Sequence, residues 1–177
     1  MTSFRESGKK HLLITGSRKS GKTTVLNEIC KDIMPIDRCH ENPLIGGIIT
    51  YTVRDDSYIP KHVVLSDRNN TNLTGMIARR NADASSLIPI PETFENLGAQ
   101  ILNQYNKSNS DYIVIDEIGY LEVNCLQYQK EIMRCFDKRV IAVIRKELNS
   151  FTEKLTQKQD VFLIDLDIIK QKYFTHT

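Results

Sequence analysis

Eight residues close to the N-terminus have the types and spacing that chemistry on a phosphate requires. Gly16-Ser17-Arg18-Lys19-Ser20-Gly21-Lys22-Thr23 satisfies the pattern G-x-x-x-x-G-K-[ST] at every fixed position. Glycine at 16 and 21 lets the backbone take conformations that a side chain blocks, so successive N–H groups point into one concavity. The helix opening at Gly21 adds its positive N-terminal end. Lys22 is placed to reach the β and γ phosphates, and the Thr23 hydroxyl is placed to ligate Mg²⁺. The predicted nucleotide-binding set is therefore Gly16, Ser17, Arg18, Lys19, Ser20, Gly21, Lys22, Thr23 and Thr24, with a nucleoside triphosphate as the ligand. At the variable positions 18 and 19, a basic side chain is equally at home in solvent.

A metal-bound triphosphate needs an acid, and the apolar run Tyr112-Ile113-Val114-Ile115 ends in Asp116. A carboxylate at the mouth of a buried strand can join Thr23 in the metal shell. Glu117 follows at once. Neighbouring residues of a strand point to opposite faces, so the two acids divide the work if the strand persists. On that reading Asp116 holds the metal, and Glu117 holds and polarises a water for attack on the γ-phosphate. A water-polarising glutamate favours hydrolysis over transfer to a bound hydroxyl.

These residues need a scaffold, and the apolar pattern supplies one. Residues 11–15 read as a short buried strand, and Gly21 to Met34 as a helix with Val25, Leu26, Ile29, Cys30 and Ile33 on one side, stopped by Pro35. After Gly46-Gly47, the runs 48–53 and 59–65 read as a hairpin, and Pro60 suggests that its second strand lies at an edge. The polar stretch 66–91 holds one possible strand, at 75–80. Pro91-Glu92 opens a helix whose apolar side is Phe94, Leu97, Ile101, Leu102 and Tyr105. Beyond the acid-bearing strand, Cys125, Gln129, Ile132, Met133 and Phe136 mark a helix, and Val140 to Ile144 a strand. Ser150-Phe151-Thr152-Glu153 has the form of a capping box, and 161–166 is the last strand. Short apolar strands alternating with amphipathic helices predict a three-layer α/β fold: a mainly parallel sheet with helices on both faces and an antiparallel hairpin at one edge.

Composition limits the alternatives. At 177 residues the chain is predicted to form one domain over 11–177 behind a flexible tail at 1–10. Lys plus Arg is 24 and Asp plus Glu 22, and this near-balance makes a nucleic-acid partner unlikely. No apolar run approaches the roughly 20 residues that span a bilayer, so no membrane partner is expected. The polar, basic N-terminus lacks the apolar core of a secretory signal, which points to a cytoplasmic protein, monomeric or weakly oligomeric. Cysteines at 30, 39, 125 and 135 have no zinc-ligand spacing and read as free thiols, and Cys39-His40 is no exception. His40, His62 and His176 suggest nothing catalytic.

Asp116-Glu117-Ile118-Gly119-Tyr120-Leu121-Glu122 resembles the D-E-I-G-K-M-E signature of the small nucleoside-triphosphatases first described in thermophiles, whose vertebrate relative is called cancer-related nucleoside-triphosphatase. Gly47-Ile48-Ile49-Thr50 through Val53-Arg54 is similar to that family's glycine-aromatic-threonine…V-R strand, and Glu92 to Gly98 to its E-x-F-x-x-x-G helix. The likeness runs over about residues 11–166. It implies a RecA-like P-loop core (Walker A and Walker B) and slow, base-tolerant, Mg²⁺-dependent hydrolysis of NTP to NDP and phosphate. Gly16 to Thr24 would hold phosphate, with Lys22 catalytic, Thr23 and Asp116 at the metal and Glu117 at the water. Arg54 matches a family arginine and is a candidate for the charge-stabilising cation. Arg145 and Lys146, which follow a strand expected beside the acid-bearing one, could serve as well, and Arg79-Arg80 could face the triphosphate or solvent. The chain departs from the signature at Tyr120-Leu121, at Ile144 to Glu147 and over 67–90. Two other activities share the phosphate loop: a small-molecule kinase, with 66–91 as a lid, and a nucleotide-gated binding module. Asn106-Lys107-Ser108-Asn109 lacks the aspartate of a guanine-reading motif.

Overall fold

The structure is a computed structural model that describes residues 4–33, 44–81 and 86–174. Cys39-His40 and His176 therefore lie outside the described residues. The strands are β1 (His11–Thr15), β2 (Ile45–Arg54), β3 (Pro60–Asp67), β4 (Thr74–Arg80), β5 (Leu87–Pro89), β6 (Tyr112–Ile118), β7 (Arg139–Ile144) and β8 (Val161–Asp165). The helices are α1 (Lys22–Ile33), α2 (Pro91–Thr93), α3 (Ala99–Lys107), α4 (Leu126–Cys135), α5 (Ser150–Thr156) and α6 (Leu166–Phe174), and a π turn, Phe94–Gly98, joins α2 to α3.

All eight strands form one sheet in the order β5-β4-β3-β2-β6-β7-β1-β8. β8, β1, β7 and β6 run parallel, and so does the first half of β2 against β6. From β2 outward the pairing is antiparallel. The inner parallel strands β1, β7 and β6 are buried on both faces and alternate their side chains between two cores, while the edge strand β8 is half-exposed. Leu12, Ile14, Val114, Ile141 and Val143 pack with Leu26 and Cys30 of α1 and Leu166 of α6. Leu13, Ile113, Ile115, Ala142 and Ile144 pack with Ile101, Leu102, Tyr128 and Ile132 of α3 and α4. No helix among the described residues is long and apolar enough to cross a membrane.

Several elements differ from the sequence reading, each for an identifiable reason. β2 begins at Ile45 and absorbs the glycine pair, which serves close approach and not a turn. A Cβ on Gly46 would lie 2.1 Å from the Tyr105 ring, and one on Gly47 would lie 2.0 Å from the Val114 carbonyl oxygen. Pro60 does not mark a sheet edge. It is the first residue of β3, opposite Arg54 at a register shift, and β3 runs between β2 and β4. A strand's opening residue can lack an N–H donor without breaking the ladder. In α4 the buried side is Tyr128, Glu131, Ile132 and Cys135, while Met133 is exposed. The capping box of α5 is built one residue early, by Asn149 with Thr152. β5 and α6 were not anticipated.

Residues 4–10, read from sequence as part of a tail, make several contacts with the domain. Phe4 packs its ring 6.0 Å from that of Phe162, and Lys10 donates its backbone N–H to Asp160 and its Nζ to the Asp137 carbonyl. An apolar contact to Phe162 and a backbone bond that extends the β1–β8 ladder link residues 4–10 to β8.

Gly47 combines a φ of +131° with backbone contact to β6, the strand that carries the acid pair. Gly47→Ala therefore adds left-handed strain to overpacking. The expected loss of stability is about 3 kcal/mol or more, read as a fall in the urea midpoint at unchanged m-value.

Candidate active site

Three parallel strands end side by side at the C-terminal edge of the sheet, and each delivers part of the site. β1 ends at Thr15 and runs into the phosphate loop. Gly16, Lys19 and Gly21 have φ values of 145°, 64° and 93°, which turn the loop's amides inward. The space a Cβ would need at Gly16 is filled, with Ser20 Oγ at 2.8 Å and Leu166 Cβ at 3.3 Å. Lys22 folds its ammonium over the loop and donates to the carbonyls of Gly16 and Ser17 at 3.0 Å each. Ser17, Arg18, Lys19, Thr23 and Thr24 are exposed, while Gly16 and Ser20 are buried. The buried hydroxyls of Thr15 and Ser20 have no hydrogen-bond partner among the described residues.

The last helix braces this loop. The Asp167 carboxylate accepts from both the backbone N–H and the hydroxyl of Ser17, each at 2.9 Å. It also accepts from Lys146 Nζ at 2.6 Å. The Lys146 bond first, and the Ser17 hydroxyl second, hold the Asp167 carboxyl down to about 2. Lys146 lies 3.5 Å from Asp165 as well, so this cation serves an acid pair at the end of β8.

β6 brings the acid pair. Asp116 is 4% exposed, and burial above all pushes its carboxyl up to about 6. A hydrogen bond from the Thr23 side chain and the charge of Lys22 act in the opposite direction, while Glu117 adds to the rise. The phosphate loop and the acid strand thus meet at one carboxylate. β6 persists through Ile118, with a cis peptide between Asp116 and Glu117 and a shifted ladder to β7. The expectation that strand alternation would send the two acids to opposite sides does not hold, because Asp116, Glu117 and Thr23 all border a single cavity of roughly 530 Å³.

β7 lies between β1 and β6 and ends at Ile144, so Arg145 emerges between the loop and the acids. Arg145 donates its backbone N–H to the Ile118 carbonyl at 3.0 Å, and its Nε is hydrogen-bonded to Glu117 Oε1. Its guanidinium lies 4.7 Å from the centre of the Tyr120 ring. The turn after β6 is fixed beneath it. Buried Glu122 accepts from the Gly119 N–H, and Asn149 donates its side-chain amide to the Gly119 carbonyl at 2.7 Å.

Arg54 enters the same cavity from further along β2. In the β2–β6 ladder Ile49 stands opposite Asp116, and Arg54 is five residues further along β2, about 17 Å at 3.3–3.4 Å per residue. Its Nη1 donates to the Tyr58 carbonyl at 2.9 Å, in the hairpin turn. Arg54 borders the outer end of the cavity, and Arg80 beside it is paired with Asp55 at 3.1 Å. So Thr23, Asp116, Glu117, Arg145 and Arg54 all border one cavity, the Lys22 charge reaches Asp116, and Lys146 is held apart by Asp165 and Asp167. Sequence reasoning missed Glu122, Asn149 and Asp167 as supports. Their signals were slight: the terminal glutamate of the D-E-I-G segment, a cap displaced by one residue, and an acid in an unrecognised helix.

The model of the NTPase family matches residues 11–177. The chain belongs to the NTPase family. Among curated relatives, the nucleoside-triphosphatase THEP1 of Thermotoga sp. strain RQ2 is 28% identical over 164 residues, covering 88% of this chain and 86% of that one. THEP1 of Thermotoga maritima is also 28% identical, over 165 residues, with coverage of 88% and 86%. The crystal structure of THEP1 from Aquifex aeolicus superimposes with a TM-score of 0.67 at 20% identity, covering 88% of this chain and 89% of that one. The solution structure of a human cancer-related nucleoside triphosphatase gives 0.64 at 16% identity, with coverage of 95% and 99%. As an NTPase-family chain with the three-layer α/β architecture of these neighbours, the protein is an enzyme of the nucleoside-triphosphatase type.

Glu122 supplies a pH test of the support. Burial first of all raises its carboxyl from 4.5 to about 7, against the stabilising Gly119 N–H. The folded state therefore holds a proton that the unfolded state releases between these values, and stability is fullest below pH 4.5 and falls as pH rises through 7. Between pH 5 and pH 8, wild type should lose on the order of 2 kcal/mol relative to Glu122→Gln, measured by urea unfolding at both pH values.

Proposed function

We propose that this NTPase hydrolyses nucleoside 5′-triphosphates to the diphosphate and inorganic phosphate with Mg²⁺, slowly and with broad tolerance of the base. The observation that carries this reading is the convergence at Asp116: this carboxylate, 93 positions after Thr23 in sequence, borders one cavity with Thr23 and feels the Thr23 hydroxyl and the Lys22 charge. The chain's own donors fit Mg²⁺. No cluster of three or more His, Cys, Asp or Glu exists among the described residues, so a cation here rests on few protein oxygens. Mg²⁺ suits that, because it keeps several waters and is held by one or two carboxylates together with substrate phosphates. Thr23 Oγ1 and the Asp116 carboxylate would hold it, and a positive ion there would counteract the burial that raises that carboxyl. When bound, the metal draws charge from the β and γ phosphate oxygens.

The rest is done by the chain. The loop amides and Lys22 fix the triphosphate, with Lys22 exchanging its two carbonyl partners for phosphate oxygens. Glu117 holds the attacking water and takes its proton as the oxygen–phosphorus bond forms and the bond to the NDP oxygen breaks. The assembled groups all address phosphate, which supports tolerance of the base.

A second reading, phosphoryl transfer to a small-molecule acceptor, has one observation in its favour. The cavity extends past the acids along Thr50, Thr52 and Arg54, alternate residues on one face of β2, and its roughly 530 Å³ far exceeds the ~30 Å³ share of a water.

Phosphate release from ATP, GTP, CTP and UTP tests both. Wild type with Mg²⁺ should release phosphate from several of the four, and EDTA should abolish release. Lys22→Ala should lose at least about 10²-fold, and Glu117→Gln about 10²–10⁴-fold. Turnover that appears only when an acceptor nucleoside, nucleotide or sugar is supplied would favour transfer. Tight nucleotide binding with no turnover under any of these conditions would exclude both.

A further inference from the structure

The hydrolytic reading needs a cation that spreads charge over the transferring phosphoryl group, in addition to Lys22. Of the basic residues considered from sequence, Lys146 is held by Asp165 and Asp167, Arg80 by Asp55, and Arg54 is tied to the hairpin turn about 17 Å along β2. Arg145 alone among them stands between the phosphate loop and the acids, on the strand inserted between β1 and β6. Arg18, Arg54, Arg80 and Arg145 all border the same cavity as Thr23 and Asp116, but of these arginines it is Arg145 that is bonded to Glu117. Its place is prepared. A Cβ on Gly119 would come within 2.8 Å of Arg145 Cγ and 2.9 Å of Cδ, so the side chain crosses the turn where only glycine leaves room. Glu122 and Asn149 fix that glycine from both of its peptide groups. The guanidinium rests on the face of Tyr120, which stands where the resembled signature has a lysine.

At rest Arg145 is bonded to Glu117, the group expected to hold the water. We propose that Arg145 is the charge-stabilising catalytic residue of this chain, and that its pair with Glu117 is a latch which the γ-phosphate of a bound triphosphate opens. The inference rests on the hydrolytic reading and deepens it. The side chains are half-buried, with 40% of Arg145 and 26% of Glu117 exposed, so the pair is loose enough to exchange partners. On arrival of the triphosphate, the guanidinium moves from carboxylate to γ-phosphate oxygens, which its planar fork suits equally well. Glu117 is then free to accept the proton of the attacking water, while Arg145 meets the charge on the equatorial oxygens. A diphosphate offers no γ-oxygens and leaves the pair closed.

Two measurements test this, one of turnover and one of binding. Arg145→Ala should lower kcat by at least about 10³-fold with little change in KM, melting temperature or ADP affinity. Arg145→Lys should recover only part, and added guanidinium at millimolar concentration should partly rescue the alanine variant but not Glu117→Gln. For the latch, Glu117→Gln should bind a non-hydrolysable ATP analogue several-fold more tightly than wild type, with ADP affinity unchanged, and Glu117→Gln/Arg145→Ala should lose that gain. The affinity arms need no turnover, so a protein without phosphate release would overturn the hydrolytic reading separately. A kcat for Arg145→Ala within about threefold of wild type would overturn the catalytic assignment. So would a parallel loss of kcat, melting temperature and ADP affinity, which marks a structural role. Equal gains for ADP and the ATP analogue in Glu117→Gln would overturn the latch.

Discussion

The spacing of three neighbouring strands governs this molecule. β7 lies between β1, which feeds the phosphate loop, and β6, which ends in Asp116 and Glu117. Two inter-strand steps separate loop from acids, about 9–10 Å. With one strand interposed, the crevice beyond the carboxyl ends of the parallel sheet receives residues from all three strands. The interposed strand itself opens into the middle of the site, which gives Arg145 its position.

Around that crevice, each functional group is held from behind by a residue that has no part in the chemistry. Asp167 clasps Ser17, Asn149 and Glu122 clasp the two sides of Gly119, and Gly119 clears the path of Arg145. Asn149 caps α5 with the same side chain that holds Gly119. These supports come from α5, α6 and the turn after β6, so the geometry of the crevice is set by elements on both sides of the sheet.

The phosphate loop, the acid pair, the parallel sheet and the hairpin were legible in the sequence because each rests on local signals: glycine spacing, a short apolar run, alternation. What was not legible depends on partners distant in the chain. The reason Gly46-Gly47 carries no side chains is the Tyr105 ring and the Val114 backbone, from elements that start some sixty residues later. Met133 is apolar at helical spacing, yet Glu131 takes the buried position because Asn106 and Arg134 satisfy its carboxylate. Arg145 and Lys146 are adjacent basic residues after one strand, and only the sheet order shows which faces the acids and which faces Asp165 and Asp167. Arg54 lines the cavity from the hairpin end of β2, where its Nη1 donates to the Tyr58 carbonyl, a partner that only the turn geometry reveals.

The bond between Asp167 and Ser17 joins residues 150 positions apart, and Leu166 lies against Gly16 beside it. A contact of that sequence separation carries a large loop-closure cost, so the loop gains its two Ser17 bonds only once α6 has docked beside it.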